Sequence, residues 1–212
     1  MSAPPAGVVD LCLPADWCDL VLGDDAGARA RFADLAQQVW PGGPEHLRTA
    51  VADALVAWRA RLVAAGAVSH GVVGAVAPGG EPAVWHVISS VVELPRSPEV
   101  DLTAVLAELL PVRIHDVLHV ERFATDLGLG VGFVAAPEAL PPPGPGPAAG
   151  GRTVRTGLAG ALACVPGAGH GLLVTGACLA AGQVAELAAL VATIAGRSRL
   201  RPAPTRQDGG PR

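Results

Sequence analysis

The chain has 212 residues, of which 50% are hydrophobic, 16% charged and only 3% aromatic, and its formal net charge is -4. A chain of this length suits one domain that buries about 70% of the surface its unfolded form exposes, so the core requires no metal or disulfide staple. All 15 basic residues are Arg, read as the codon usage of a GC-rich genome, and they are spread along the chain, which speaks against a nucleic-acid binder.

In chain order, Met1 to Gly7 is expected to be a disordered terminus, with neither the basic nor the apolar region of a signal peptide. Val8 to Leu13 reads as a short strand, and the chain then turns around Trp17. Asp24 or Asp25 can cap a helix whose inner face is Phe32, Leu35, Ala36 and Val39. Pro44 suits the first turn of a second helix. There Leu47, Val51, Leu55, Trp58 and Leu62 form one apolar stripe with Arg48, Asp53 and Arg59 mostly off it, and Gly66 closes the helix.

From Ala67 the period becomes that of strands: Val68 to Ala77, a Pro78-Gly79-Gly80-Glu81 turn, then Ala83 to Leu94. Asp101 caps a short helix that Pro111 ends, and a second hairpin follows over Val112 to Phe123 and Leu127 to Ala135. Residues 137–152 are too rich in Pro and Gly to pack and are expected to form a flexible loop. A third hairpin, Thr153 to Val165 and His170 to Cys178, leads to a helix from Ala180 to Ala195, and residues 201–212 are expected to be a disordered tail. Leu172 to Ala195 is long and apolar enough to cross a bilayer, with Glu186 its single charge. It reads instead as a buried strand followed by an amphipathic helix with Val184, Leu187, Val191 and Ile194 on its seam.

Hairpins join antiparallel neighbours, so the fold class is α+β: one domain over residues 8–200, an antiparallel sheet built from hairpins and covered by helices on one or both faces. The core must be assembled from small side chains, since Ala and Val dominate the apolar half.

No catalytic signature emerges. Two histidines four apart in His115-Asp116-Val117-Leu118-His119 resemble the zinc-protease motif, but Asp116 stands where that motif has Glu, and the segment alternates like a strand. On a strand, Arg113, His115, Val117, His119 and Glu121 share one face, which makes His115, His119 and Glu121 the candidate metal ligands, completed by His86 or His70 from a neighbouring strand. Gly128, Gly130 and Gly132 lack the spacing of a nucleotide loop and read as a bare strand face, filled by Trp17, Trp58 or Trp85. Cys12, Cys18, Cys164 and Cys178 contain no C-x-x-C pair and read as reduced thiols of a cytoplasmic protein. Cys164 and Cys178 flank the last hairpin and are expected to be buried free thiols, a facing pair being the alternative. No cofactor signature is present.

Leu13-Pro14-Ala15-Asp16-Trp17 near the start, and Gly171-Leu172-Leu173-Val174-Thr175 followed by Leu187, Leu190 and Ile194 near the end, resemble a group of uncharacterised actinobacterial proteins over residues 8 to 200. The order of elements is similar to the PsbP-like α/β fold, also found in LpqN-type mycobacterial lipoproteins. The chain departs from those lipoproteins in its expected lack of a signal peptide and lipid-attachment Cys. The resemblance implies an antiparallel sheet between helical layers and a non-catalytic binding or assembly role, accessory to specialised bacterial secretion. It carries over no catalytic residue. The expected function is therefore a cytoplasmic adaptor that presents a sheet face or edge to a protein partner. The alternatives are a metal-dependent hydrolase using the His115/His119 face and a small-ligand-binding protein.

Overall fold

Side-chain caps set where two of the helices begin. The computed structural model describes residues 8–14, 17–21, 23–76, 82–110, 112–139 and 153–201. After β1 (Val8–Asp10) and β2 (Cys18–Asp19) comes α1 (Asp25–Val39), started by Asp24, whose carboxylate accepts from the Gly27 amide at 2.7 Å. Helix α2 (Glu45–Ala64) follows Pro44 and stops before Gly66, whose φ of 80° is a left-handed conformation that favours glycine. Strands β3 (Ala67–Val76) and β4 (Pro82–Glu93) form the first hairpin. Asp101 then caps α3 (Leu102–Leu109) by accepting from the Thr103 amide at 3.0 Å.

A 3-10 turn (Ile114–Asp116) leads into β5 (Val117–Thr125) and β6 (Gly128–Ala135). The short β7 (Glu138–Ala139), within the stretch expected to be loop, pairs with β8 (Val154–Arg155). The last hairpin is β9 (Gly157–Cys164) and β10 (His170–Cys178), followed by a 3-10 turn (Ala181–Gln183), α4 (Val184–Arg197) and β11 (Arg199–Arg201). Strand β11 pairs with β1, so Arg201 belongs to a strand rather than to the tail. Residues 1–7, 77–81, 140–152 and 202–212, where a terminus, a turn, a loop and a tail are expected, lie outside the described residues.

Among the described residues, the three hairpins and β2 form one seven-stranded antiparallel sheet of order β2-β3-β4-β10-β9-β6-β5. The α+β architecture read from the sequence is therefore the observed one, with the last hairpin inserted between the first two. Helices cover both faces. On one face, Leu187, Val191, Ile194 and Ala195 of α4 pack on Leu172, Val174, Val87 and the alanines Ala159, Ala161 and Ala163. These are the seam residues that helical spacing selects, and small side chains on β9 allow close approach. On the other face, Leu102 and Leu106 of α3 cover Val131, Phe133, Ala135, Leu162 and Cys164. Ala28, Phe32 and Ala52 of the α1–α2 pair pack with Leu20 and Val72. Among the described residues no helix is long and apolar enough to cross a membrane.

Helix α2 departs from its sequence pattern. Its buried residues are Ala52, Arg59 and Leu62, whereas Leu47, Val51 and Trp58 of the expected core stripe remain 40%, 44% and 41% exposed. The helix is rotated because α1 occupies its flank and because Arg59 reaches inward, donating to the Asp25 carboxylate and to the Gly23 carbonyl. A buried guanidinium with an ion-pair and a backbone partner is retained where a lone one is not.

Ser89 lies on the α4 side, fully buried, and its hydroxyl has no hydrogen-bond partner among the described residues. An unsatisfied buried hydroxyl is a net cost. Ser89→Ala is therefore expected to leave the free energy of unfolding unchanged or raise it by about 1 kcal/mol in a denaturant titration. A clear loss of stability would reveal a partner for this hydroxyl.

Candidate functional site

Antiparallel strands place directly opposed residues on the same face. The registers Ser90↔Leu173, Ile88↔Thr175 and His86↔Ala177 thus lay six side chains from β4 and β10 on the face that carries α2 and α3. None of the six is fully buried, since α2 sits over β3 and α3 over β6. From β3 to β6 there are four strand spacings, about 19 Å. Helices pack at about 8–10 Å between axes, so the open strip has the width of one further helix. On the α2 side Trp58, still exposed, reaches this face through His70, and Val51 and Leu47 lie two and three turns before it on the same side of the helix.

Polar groups line up along one side of this strip. The Trp58 indole N–H donates to His70 Nδ1 at 3.2 Å, and His70 Nε2 lies 3.4 Å from His86 Nδ1. An indole nitrogen is a donor only, so His70 Nδ1 must accept, which puts its proton on Nε2 and directs it to His86. The rings confirm the stacking order: Trp58 meets His70 edge-on at 6.3 Å and 73°, and His70 tilts against His86 at 5.6 Å. Burial and the neighbouring His86 push His70 down to about 4, against a weaker opposing pull from Asp19. Partial burial lowers His86 as well. This arrangement disfavours a metal on His70, because a ligating histidine uses its second nitrogen to donate outward, whereas here that nitrogen is occupied as an acceptor.

Behind β3, on the α4 side, Asp19 orders the turn around Trp17. It accepts from the Trp17 indole at 3.2 Å, from the Val21 amide at 2.7 Å and from the Ser69 hydroxyl. The Trp17 ring lies flat against Gly71, where a Cβ would collide with it.

The residues singled out by sequence fall elsewhere. His115 is on the 3-10 turn rather than on a strand, with Nε2 3.8 Å from Asp116 Oδ1. His119 and Glu121 share one face of β5, with Nε2 3.5 Å from Oε2. A bulge between Val117 and His119 breaks the alternation that would have aligned His115 with them. His86 and His70 stand four and five strands away from β5, about 19 and 24 Å, and do not reach this pair. Among the described residues no group of three or more His, Cys, Asp or Glu is placed to hold a metal ion.

Gly130 and Gly132 do form a bare face, but Phe123 of the adjacent β5 fills it, rather than a tryptophan. The space left there, lined also by His119, Glu121 and Ala188, is about 30 Å³, room for one water molecule. A larger apolar groove of about 190 Å³ lies on the opposite face between α3 and the β5–β6 edge, lined by Leu106, Leu110, Val120 and Phe133 among others. Cys164 and Cys178 do not face each other. Cys164 pairs with Gly171 beside the hairpin turn on the α3 side, and Cys178 pairs with Gly157 at the far end on the α4 side. Burial raises both thiols above their ordinary range, which makes them poor nucleophiles.

The Trp58–His70–His86 row is the feature that sequence reasoning missed. The hairpin register alone sets His70 opposite Ile88 and thus two residues from His86 on the same face, so counting outward from the turn finds the histidine pair. Nothing in the helical pattern of α2 shows that Trp58 joins them.

No family model and no curated protein matches the chain. A solved structure to which it is similar is that of LpqN, involved in cell envelope biogenesis of Mycobacterium tuberculosis, with 13% identity and a TM-score of 0.42 over 94% of this chain and 87% of that one.

Proposed function

We propose that this chain is a non-catalytic protein-binding adaptor whose partner lays an amphipathic helix along the open strip over β4 and β10. The observation that carries the reading is a shift of the buried side of α2: Arg59 is buried at 8% exposure and Leu55 and Leu62 pack on the core, while Leu47, Val51 and Trp58 of the same helix stay exposed, Trp58 with its indole on His70 of the sheet. Apolar surface contiguous with an open strip is the signature of helix-in-groove recognition. His86, oriented by His70, adds a polar group on the floor that sets the register of an incoming helix. The proposal includes a cytoplasmic location, a role accessory to a bacterial secretion or assembly system, and membership of the PsbP-like, LpqN-related group that the first and last segments resemble.

Native mass spectrometry of untagged protein from its source tests this directly. A stoichiometric protein partner is expected, and Val51→Glu, a change at an exposed position, is expected to weaken that complex by about tenfold or more. A bare monomer, or a complex indifferent to Val51→Glu and Leu47→Glu, overturns the reading. The same spectrum addresses the metal-dependent hydrolase alternative on His115, His119 and Glu121, for which the close His119–Glu121 pair supplies two of the three or four donors that zinc requires. That alternative demands a bound metal that His119→Ala removes.

A further inference from the structure

Strand β5 is the end of the sheet, and past its bulge the run from His119 to Thr125 pairs with β6 in unbroken register. Its other edge carries backbone donors and acceptors with no strand beside them among the described residues, and its side chains are mostly exposed. Proteins blunt such an edge with bulges and charge, because it is a template for strand addition. Here the bulge lies at the start of the strand, and the polar groups after it, His119, Glu121 and Arg122, have a particular spacing. Glu121 and His119 are 62% and 63% exposed on the α4 face, two residues apart, with Val120 between them on the other face.

We infer that this edge pairs antiparallel with the β5 edge of a second copy of the chain, about a two-fold axis through Val120. The symmetry leaves few choices. Opposed residues in an antiparallel pair share a face, so a symmetric pairing must centre on a residue, since centring on a peptide bond would oppose residues of opposite faces. Centring on His119 sets that histidine against itself. Centring on Glu121 or on Arg122 opposes like charges, which is destabilising, and centring from Phe123 onward runs the pairing into the turn after Thr125. Centring on Val120 places His119 opposite Glu121 of the second copy, twice over by symmetry, and brings Val120 against its own copy. Each His119 then lies between two carboxylates, one from its own strand at 3.5 Å and one across the axis.

The same register covers apolar surface. Val120 is 43% exposed and forms one rim of the groove that also contains Leu106, Leu110 and Phe133. Its copy closes that rim. The result is a continuous sheet running through both copies, with both α4 helices on one face. A pairing of so few residues buries little area, which places it among weak, reversible interfaces. It uses a different surface from the strip over β4 and β10, so the adaptor reading stands or falls separately.

Sedimentation equilibrium of the full chain over a concentration series decides the matter. A reversible monomer–dimer equilibrium is expected, with Glu121→Arg weakening it by about tenfold or more because the arginine then opposes His119. His119→Glu alone is expected to weaken it similarly. The double variant H119E/E121H restores an opposite pair in the same register and is expected to recover the dimer. Both positions are exposed, and circular dichroism matching that of the parent shows that each variant is folded. A monomer at every concentration, a dimer insensitive to Glu121→Arg, or failure of the folded double variant to recover association would each overturn the inference.

Discussion

Leu187→Ala is expected to destabilise the protein by about 2–5 kcal/mol, measured by denaturant unfolding, through lost transfer energy and the cavity left behind. Leu187 is fully buried near the start of α4 and meets β10 where Gly176 leaves the backbone bare, its Cδ1 lying 2.7 Å from where a Cβ would stand. The site resists collapse, since a β-sheet on one side and the alanines of β9 on the other cannot move inward to fill the void. The midpoint is expected to fall with the slope of the transition unchanged. A loss below about 1 kcal/mol would mean that α4 does not carry this face of the core.

The second large effect concerns acid. His70 is almost fully buried and its conjugate acid is held down to about 4 by desolvation and by His86. The folded state therefore keeps His70 neutral over a range in which the unfolded chain, with an ordinary histidine near 6.5, takes up a proton. Stability rises with pH wherever the unfolded state binds more protons. The contribution of neutral His70 is thus fully present above about pH 6.5 and is lost progressively as pH falls toward 4, by up to about 3 kcal/mol in all. Unfolding free energies measured across that window are expected to fall for the parent relative to His70→Phe by up to about 3 kcal/mol as pH drops from 6.5 to 4. Parallel curves would show that His70 takes up its proton as readily in the folded protein as in the unfolded chain, against the buried, Trp58-bound neutral ring.

Much of the fold is legible in the sequence because it rests on short-range rules. Asp24 and Asp101 announce their helices as caps, and the seam Val184, Leu187, Val191 and Ile194 of α4 is the buried set observed. Each hairpin follows from alternating apolar runs around a turn, and an antiparallel sheet follows from hairpins. The exceptions share a cause. A continuous alternating strand from Val112 is what the pattern supports, yet a 3-10 turn and a bulge intervene. Both shift which residues share a face, and so the His115 alignment fails while the His119–Glu121 pair survives. The glycines of β6 signal a close approach without naming what approaches, and the filler, Phe123, comes from the adjacent strand.

The amino-acid sequence by itself determined the elements, their caps, the antiparallel class and the core face of α4, all consequences of backbone preference and of periodicity within a segment. Only the tertiary structure decided that the third hairpin inserts between the first two, that the buried side of α2 shifts toward Arg59 and leaves Leu47 and Val51 exposed, and that Trp58, His70 and His86 meet. A helix with apolar residues on more than one side has no single inward face until its neighbours are in place. For α2 the choice was made by Arg59, whose partners Asp25 and Gly23 lie more than thirty residues earlier in the chain, beyond the reach of any local pattern.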